Sequence, residues 1–350
     1  MSVGADLGGL GPGAISIVAE LADDRICSVR VRSSRPAHLT RLFHGRPAAE
    51  VAPLAGRLFS LCGLSHAFAA SRAIAAARGE IRKPTPQNLV ALDCERLSET
   101  LRALTTLAED AVPPTALRAV LTLTRELATG DARDRGATAA KLRAETAKLG
   151  LPNDVSGDTP FGKLSRELAR SPAIAASAPD TLRAEDDALV HEGIRAQGES
   201  FSATPSIASR APETGAFARH WRETDLSRGA ICARFSARMI DLDRLVTRLS
   251  NGAEDAFRSE APAAREAYCA VETSRGELYH WVRLTPDDRI ENYAIVAPTE
   301  WNFHPAGPFV AALLGARIPR AAAAQTITRL AGLFDPCVAF RVELREATYA

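Results

Sequence analysis

Between Pro84 and Gly150 apolar residues recur at intervals of three and four, as in Leu89, Leu92, Leu97, Leu101 and Leu104, then Leu117, Val120, Leu123 and Leu127. That period puts an apolar stripe along each of several helices, and a stripe of this kind must be buried against another element. The breaks fall near Val112-Pro113-Pro114 and Gly130-Asp131, where proline and glycine end helices. Short connections between such helices predict antiparallel neighbours in a bundle. With 46% hydrophobic residues in a chain of 350, a large core is available to hold them.

The remaining chain adds two β elements to this bundle. Residues 14–32 alternate apolar and polar around Ala22-Asp23-Asp24-Arg25, which predicts an amphipathic hairpin within 10–32. Residues 48–150 read as helical, 151–209 as irregular because they are richer in Pro, Ser and Asp, and 210–260 as helical again. Strands at about 277–284 and 290–297 flank Thr285-Pro286-Asp287-Asp288-Arg289, which predicts a second β-hairpin within 266–302. Residues 306–345 then read as helical up to a last cysteine motif. The expected class is α+β, predominantly α, in one domain over 1–350.

A net charge of +1 gives no reason to expect nucleic acid or an anionic membrane as partner. The basic charge is nearly all arginine, with lysine only at positions 83, 141, 148 and 163, and reads as genome composition. The N-terminal MSVGADLGGLGPG lacks the pattern of an export signal and no apolar run reaches membrane-span length, so a cytoplasmic location is expected. Six cysteines stand without a C-x-x-C pair. Of these, Cys27, Cys94, Cys232 and Cys269 belong to no motif and are expected as small core residues.

The other two cysteines carry chemistry. Placed on one helix, Cys62 and His66 in Arg57–Arg72 (RLFSLCGLSHAFAASR) fall one turn apart on the same face, and thiolate and imidazole are common metal ligands. Alone, the pair reads as well as a buried cysteine and a satisfied core histidine. Near the C-terminus, Asp335-Pro336-Cys337 has the form of a helix start, with Asp335 as N-cap and Cys337 in the first turn, where a thiolate is favoured.

Together these two stretches resemble the paired cysteine motifs of nickel-iron hydrogenase large subunits. The first, R-[IV]-C-G-[IV]-C-x-x-x-H-A-x-A-S-x-R, is matched by Arg57, Cys62, His66, Ala67, Ala69 and Arg72, and the second, D-P-C-x-x-C-x-x-H, by Asp335, Pro336 and Cys337. Residues 271–281 (VETSRGELYHW) resemble E-A-P-R-G-x-L-x-H-W, and 296–302 (VAPTEWN) resemble V-P-[ST]-T-W-N. Glu213-Thr214-Gly215-Ala216-Phe217-Ala218-Arg219 resembles E-V-G-P-L-A-R, and the segment before the first motif, 42–47, resembles L-x-G-R.

The resemblance implies a large-subunit-like helical core and an iron carrying two cyanides and one carbon monoxide, Fe(CN)2CO, between the cysteine motifs. Arg275 and Thr299 match the positions that donate hydrogen bonds to cyanide, with Pro298 and His66 beside them, and Cys62 and Cys337 match metal-binding thiolates. Cys62 matches a cysteine that bridges nickel and iron, Cys337 one that binds nickel only. The departures lie on the nickel side. Phe59 and Phe340 replace the other two cysteines, Glu343 the terminal histidine, and Pro12 the proton-relay glutamate. Nickel is therefore not expected, and hydrogen turnover with it. This combination resembles the accessory relatives of the large subunit known as the HupK/HoxV type. It implies a non-catalytic maturation scaffold that holds Fe(CN)2CO transiently, with a chaperone of the iron-cyanide assembly complex and the immature large subunit as partners. A metal-free assembly protein and a divergent active hydrogenase remain as alternatives.

Overall fold

A computed structural model describes residues 13–36, 39–59, 61–80, 82–108, 111–130, 132–152, 157–252 and 256–347. Strands β1 (Ala14–Ala22) and β2 (Arg25–Ser33) form the expected antiparallel hairpin. Asp23 and Asp24 make its two-residue turn with φ of 46° and 60°, a conformation such turns impose and aspartate tolerates. Ile15, Ile17, Ala19 and Leu21 are buried, so β1 gives one face to the core.

Helices α1 (Ala48–Leu58) and α2 (Gly63–Ala77) lie within the stretch 48–150 read as helical, and α3 (Pro86–Leu107), α4 (Pro114–Thr129) and α5 (Arg135–Leu149) follow where the periodicity put them. The stretch 151–209, expected to be irregular, holds three more: α6 (Pro160–Leu168), α7 (Asp187–Gln197) and α8 (Glu199–Ala203). Two of them, α6 and α8, are short and the stretch between is rich in Pro, Ser and Asp, yet Phe161, Leu164, Val190, Ile194 and Phe201 on the three helices are all buried. Helices α9 (Ala216–His220) and α10 (Gly229–Asn251) come next.

The helical reading of 210–260 fails at its end, because β3 (Phe257–Ala263) begins there. It pairs with β4 (Glu266–Thr273), β5 (Gly276–Leu284) and β6 (Ile290–Val296) in one antiparallel sheet of order β3-β4-β5-β6. A single hairpin over 266–302 was thus an underestimate. Nearly every residue of β4 and β5 is buried, since α1 and α2 cover one face (Val271, Leu278 and Val282 against Val51, Ala69 and Ala73) and α7 and α8 the other (Tyr268, Tyr279 and Trp281 against Val190, Ile194 and Phe201). Strands covered on both faces lose the alternation that marks a hairpin in sequence.

After the sheet come α11 (Pro298–Asn302), α12 (Pro308–Leu313), α13 (Arg320–Phe334) and β7 (Ala339–Glu346). The expected helix over 306–345 therefore ends at Phe334. Asp335 does not open a helix but closes α13, in the left-handed conformation at φ 53°, and Pro336 prevents continuation. Strand β7 then pairs in parallel with β1, Phe340 opposite Ile15, giving a three-stranded sheet of order β2-β1-β7 that joins the two ends of the described chain. Under it, α3, α4, α5, α10 and α13 bury Leu97, Leu101, Leu142, Leu242 and Leu330 in one core.

One close approach aligns the cysteine-bearing connection. A Cβ on Gly63 would lie 2.5 Å from the carbonyl oxygen of Gly56, so α1 and α2 cross at a distance only glycine permits. Gly63→Ala is expected to cost about 1–3 kcal/mol through forced backbone shifts, read as a lowered urea midpoint; an unchanged midpoint would show the crossing is not tight.

Candidate functional site

The expected helix over 57–72 is broken. Helix α1 stops at Leu58, α2 starts at Gly63, and Cys62 is its N-cap residue, with its carbonyl accepting the His66 N–H at 3.0 Å. The four-residue spacing still brings Cys62 and His66 together, through the first turn rather than along a face. Glu95 of α3 fixes this turn by accepting the Leu64 and Ser65 N–H groups at 2.8 and 2.9 Å.

Cys62, His66, Arg275, Pro298 and Cys337 all line one cavity of about 400 Å³, together with Phe59. Cys62, Arg275 and Cys337 lie on the connections α1 to α2, β4 to β5 and α13 to β7, His66 in the first turn of α2, and Pro298 at the start of α11. Thr299 stands behind Cys337. Its Oγ1 donates to Cys337 Sγ at 3.2 Å and accepts the Cys337 N–H at 3.1 Å. The hydroxyl is thus engaged with the cysteine, not free toward the cavity. Cys337 lies in the loop before β7, so the helix-dipole argument for a thiolate there does not apply.

The Arg275 turn is clamped from behind. Gly276, at φ 127°, would place a Cβ 2.6 Å from the Thr214 side chain. Asn302 reaches across both segments, accepting the Thr214 N–H and donating to the Thr214 carbonyl, each at 3.0 Å, and Thr214 Oγ1 accepts the Glu277 N–H at 2.8 Å. The resemblances at 213–219 and 296–302 therefore meet on the backbone that carries Arg275.

Arg275 is 7% exposed. Its Nη2 donates to Glu99 Oε2 at 3.5 Å, and its Nε lies 3.5 Å from Asp335 Oδ2 without a hydrogen-bond geometry. Burial opposes its charge, but Asp335, Cys62, Glu99 and Cys337 outweigh burial and hold the guanidinium above its ordinary value. Burial likewise pushes the Cys62 thiol up to about 12 against the pull of Arg275, so the free site holds it protonated.

His66 is buried and stacks on Phe59, ring centroids 4.1 Å apart. Its Nδ1 is 2.9 Å from His280 Nε2, and His280 Nδ1 is 2.6 Å from the Tyr293 hydroxyl. We assign the tautomers from this pattern: the buried phenol donates to His280, His280 donates to His66, and His66 keeps its hydrogen on Nε2. In that form His66 is a donor beside the site, not a metal ligand. Burial lowers His66 well below the usual range and His280 to about 3.

His280 is neutral in the fold, so its contribution is complete above about pH 6.5 and is lost as pH falls toward about 3, because the unfolded ring takes up a proton first. His280→Gln is therefore expected to flatten the fall of the urea midpoint between about pH 6.5 and 4.5; parallel curves for variant and parent would contradict this.

Of the two phenylalanines at lost cysteine positions, Phe340 is not at the site. It does not fill the cavity; it sits on β7 and packs with the helical core, while Phe59 alone of the two rings reaches the site. Glu343 is exposed and pairs with Arg345. Pro12 lies outside the described residues. Of the four cysteines expected in the core, Cys94, Cys232 and Cys269 are buried and Cys27 is exposed, on the outward side of β2. Among the described residues no group of three or more His, Cys, Asp and Glu gathers as a metal site, and no helix is long and apolar enough to cross a membrane. Sequence reasoning missed Arg35, Glu99, His280, Tyr293 and Glu300; His280 and Glu300 stood inside quoted motifs, at positions given no role.

The nickel-dependent hydrogenase family matches residues 216–343, which include Arg275, Thr299 and Cys337. The [NiFeSe] hydrogenase of Dm. baculatum, in its H2-activated form, superimposes with a TM-score of 0.62 over 91% of this chain and 95% of that one at 16% identity, a likeness of fold. The hydrogenase expression/formation protein HupK of Rhizobium leguminosarum bv. viciae is 37% identical over 97% of this chain and 99% of its own length. HoxV of Cupriavidus necator, also named an expression/formation protein, is 33% identical over 91% and 93%. Full-length identity to these proteins, on a fold shared with hydrogenases, establishes that the chain belongs to the HupK/HoxV family of large-subunit-like hydrogenase expression/formation proteins.

Proposed function

We propose that the protein is a non-catalytic maturation scaffold for nickel-iron hydrogenase, and that its cargo is the Fe(CN)2CO unit, held on Cys62 and Cys337 before transfer to the immature large subunit. The observation that carries this reading is the pair of cysteines on one cavity beside a buried, charged Arg275. Two thiolates are enough to hold a unit that must leave. Cyanide nitrogens carry partial negative charge and accept hydrogen bonds, which suits a guanidinium whose Nε lacks a hydrogen-bond partner. Leu278, Pro298 and Val338 on the same wall give carbon monoxide an apolar surface.

The chain's own residues prepare the exchange. Thr299 holds Cys337 from two sides, which fixes one sulfur in advance. Cys62 must give up its proton when it binds iron, so loading releases acid and favours higher pH. With Phe59 at a lost ligand position, the pocket offers nickel no thiolate set of the enzyme's kind. The donor, on this reading, is a chaperone of the iron-cyanide assembly complex, and the exchange takes place in the cytoplasm.

Infrared absorption tests this. Protein purified from a host carrying the maturation genes is expected to show carbonyl and cyanide stretching bands, in a window where polypeptide is silent. Their absence from fully folded protein would favour a metal-free assembly role. Hydrogen-dependent dye reduction by the same preparation would favour an active hydrogenase.

A further inference from the structure

Arg35 follows β2 and lines two cavities at once. One is the dithiol cavity. The other, of about 440 Å³, has Arg32, Ser202, Thr204 and His304 on its walls, and Phe59 and Ala297 stand with Arg35 in the wall common to both. Arg35 Nη1 donates to Glu300 Oε1 at 2.6 Å, and the two side chains are only 20% and 14% exposed. Glu300 sits next to Thr299 in α11 and lines the second cavity but not the dithiol cavity. An ion pair thus stands on the boundary, its cation facing both spaces and its anion only the second.

We infer that Arg35 admits small anionic ligands to the thiol pair, exchanging its contact with Glu300 for the negative charge of a ligand moving from the second cavity into the dithiol cavity. The inference rests on the carrier reading and adds a selectivity to it: the passage favours ligands whose exposed atoms are negative, as cyanide nitrogens are. The reach of the charge is consistent with this. Burial works against Arg35, yet Cys337, Glu300 and Cys62 hold its guanidinium above the ordinary value, and its charge also contributes to keeping His66 neutral. Arg275, between Asp335 and Glu99, supplies a second cation at the thiols, whereas the partner carboxylate of Arg35 does not line the dithiol cavity.

Charge-selective alkylation tests the inference without any metal. A thiolate displaces iodide from iodoacetate or iodoacetamide to form the same S–C bond, but the first reagent is an anion and the second neutral. The ratio of the two rates at one cysteine cancels that cysteine's thiolate fraction. Mass spectrometry reads it at Cys337, with exposed Cys27 as internal reference. Arg35→Gln is expected to lower the Cys337 ratio by roughly three- to tenfold, Arg35→Lys to retain most of it, and Glu300→Gln to raise it, with Cys27 unchanged throughout. An unchanged ratio in Arg35→Gln, or an equal loss in Arg35→Lys, overturns the inference. Should Arg35→Gln fail to fold, Glu300→Gln decides alone, and a flat ratio there overturns it as well. Infrared bands with flat ratios would leave the carrier and remove the passage; selective ratios without bands would leave an anion passage and remove the carrier.

Discussion

Cys62→Ala and Cys337→Ala are each expected to abolish the carbonyl and cyanide bands of protein purified from a host with the maturation genes, and to remove its iron by elemental analysis. Loss of a residue that merely orients a ligand already costs about 10–100-fold in metal affinity. Removing one of two sulfurs should exceed that, because among the described residues no group of three or more His, Cys, Asp and Glu gathers as a metal site, and His66 lines the cavity with its Nδ1 taken up by His280. The fold should tolerate both changes. Each cysteine is only partly buried, and Cys→Ala there is expected to move stability by less than about 1 kcal/mol, so a near-normal melt with missing bands separates lost ligation from lost structure. Thr299→Val is the graded case: it removes the bonds that position Cys337 without touching sulfur, and should leave weakened loading. Bands that survive in either alanine variant would sink the site assignment while leaving the carrier role open.

What could be read from the sequence follows what is local. The Asp23-Asp24 turn, the alternation of Ile15, Ile17 and Ala19, and the leucine spacings of α3 and α4 are set by neighbours in the chain, and all were legible. Asp335-Pro336 shows the limit. Aspartate before proline serves a helix start and a helix stop equally well, and the choice was made by β7 pairing with β1 across the whole chain. Strand β4 was hidden for a related reason. Cover from α7 and α8, in a stretch with little pattern of its own, removed the alternation from β4, and no local signal announces such cover. The site divides along the same line. Cys62, His66, Arg275, Pro298, Thr299 and Cys337 were found through motif resemblance, and the structure gathers all six around one cavity or directly behind it. Arg35, Glu99 and Glu300 carry charges whose meaning depends only on tertiary placement.

Arg275→Met should be the most destabilising single change at the site, by about 3–4 kcal/mol. Removing one member of a buried ion pair typically costs about 3–5 kcal/mol, because the partner charge stays buried and alone. Here the partners keep some help, since Asp335 lies 3.5 Å from Arg238 Nη1 and Glu99 pairs with Arg102, so the lower part of that range applies. The double variant Arg275→Met with Asp335→Asn should recover part of the loss, with a coupling of about 0.5–3 kcal/mol between the two sites. Denaturant melts measure both. A loss under about 1 kcal/mol for Arg275→Met would mean that the arginine is not bound into the carboxylate network. Arg275→Lys separates support from recognition: the charge remains for Asp335 and Glu99, but the planar fork is gone. It should restore much of the stability while shifting the cyanide bands of loaded protein, because a single ammonium cannot reproduce the hydrogen bonds of a guanidinium to a cyanide nitrogen. A shift with stability kept would show that the buried arginine is held there for its cargo; unshifted bands would assign it to the fold alone.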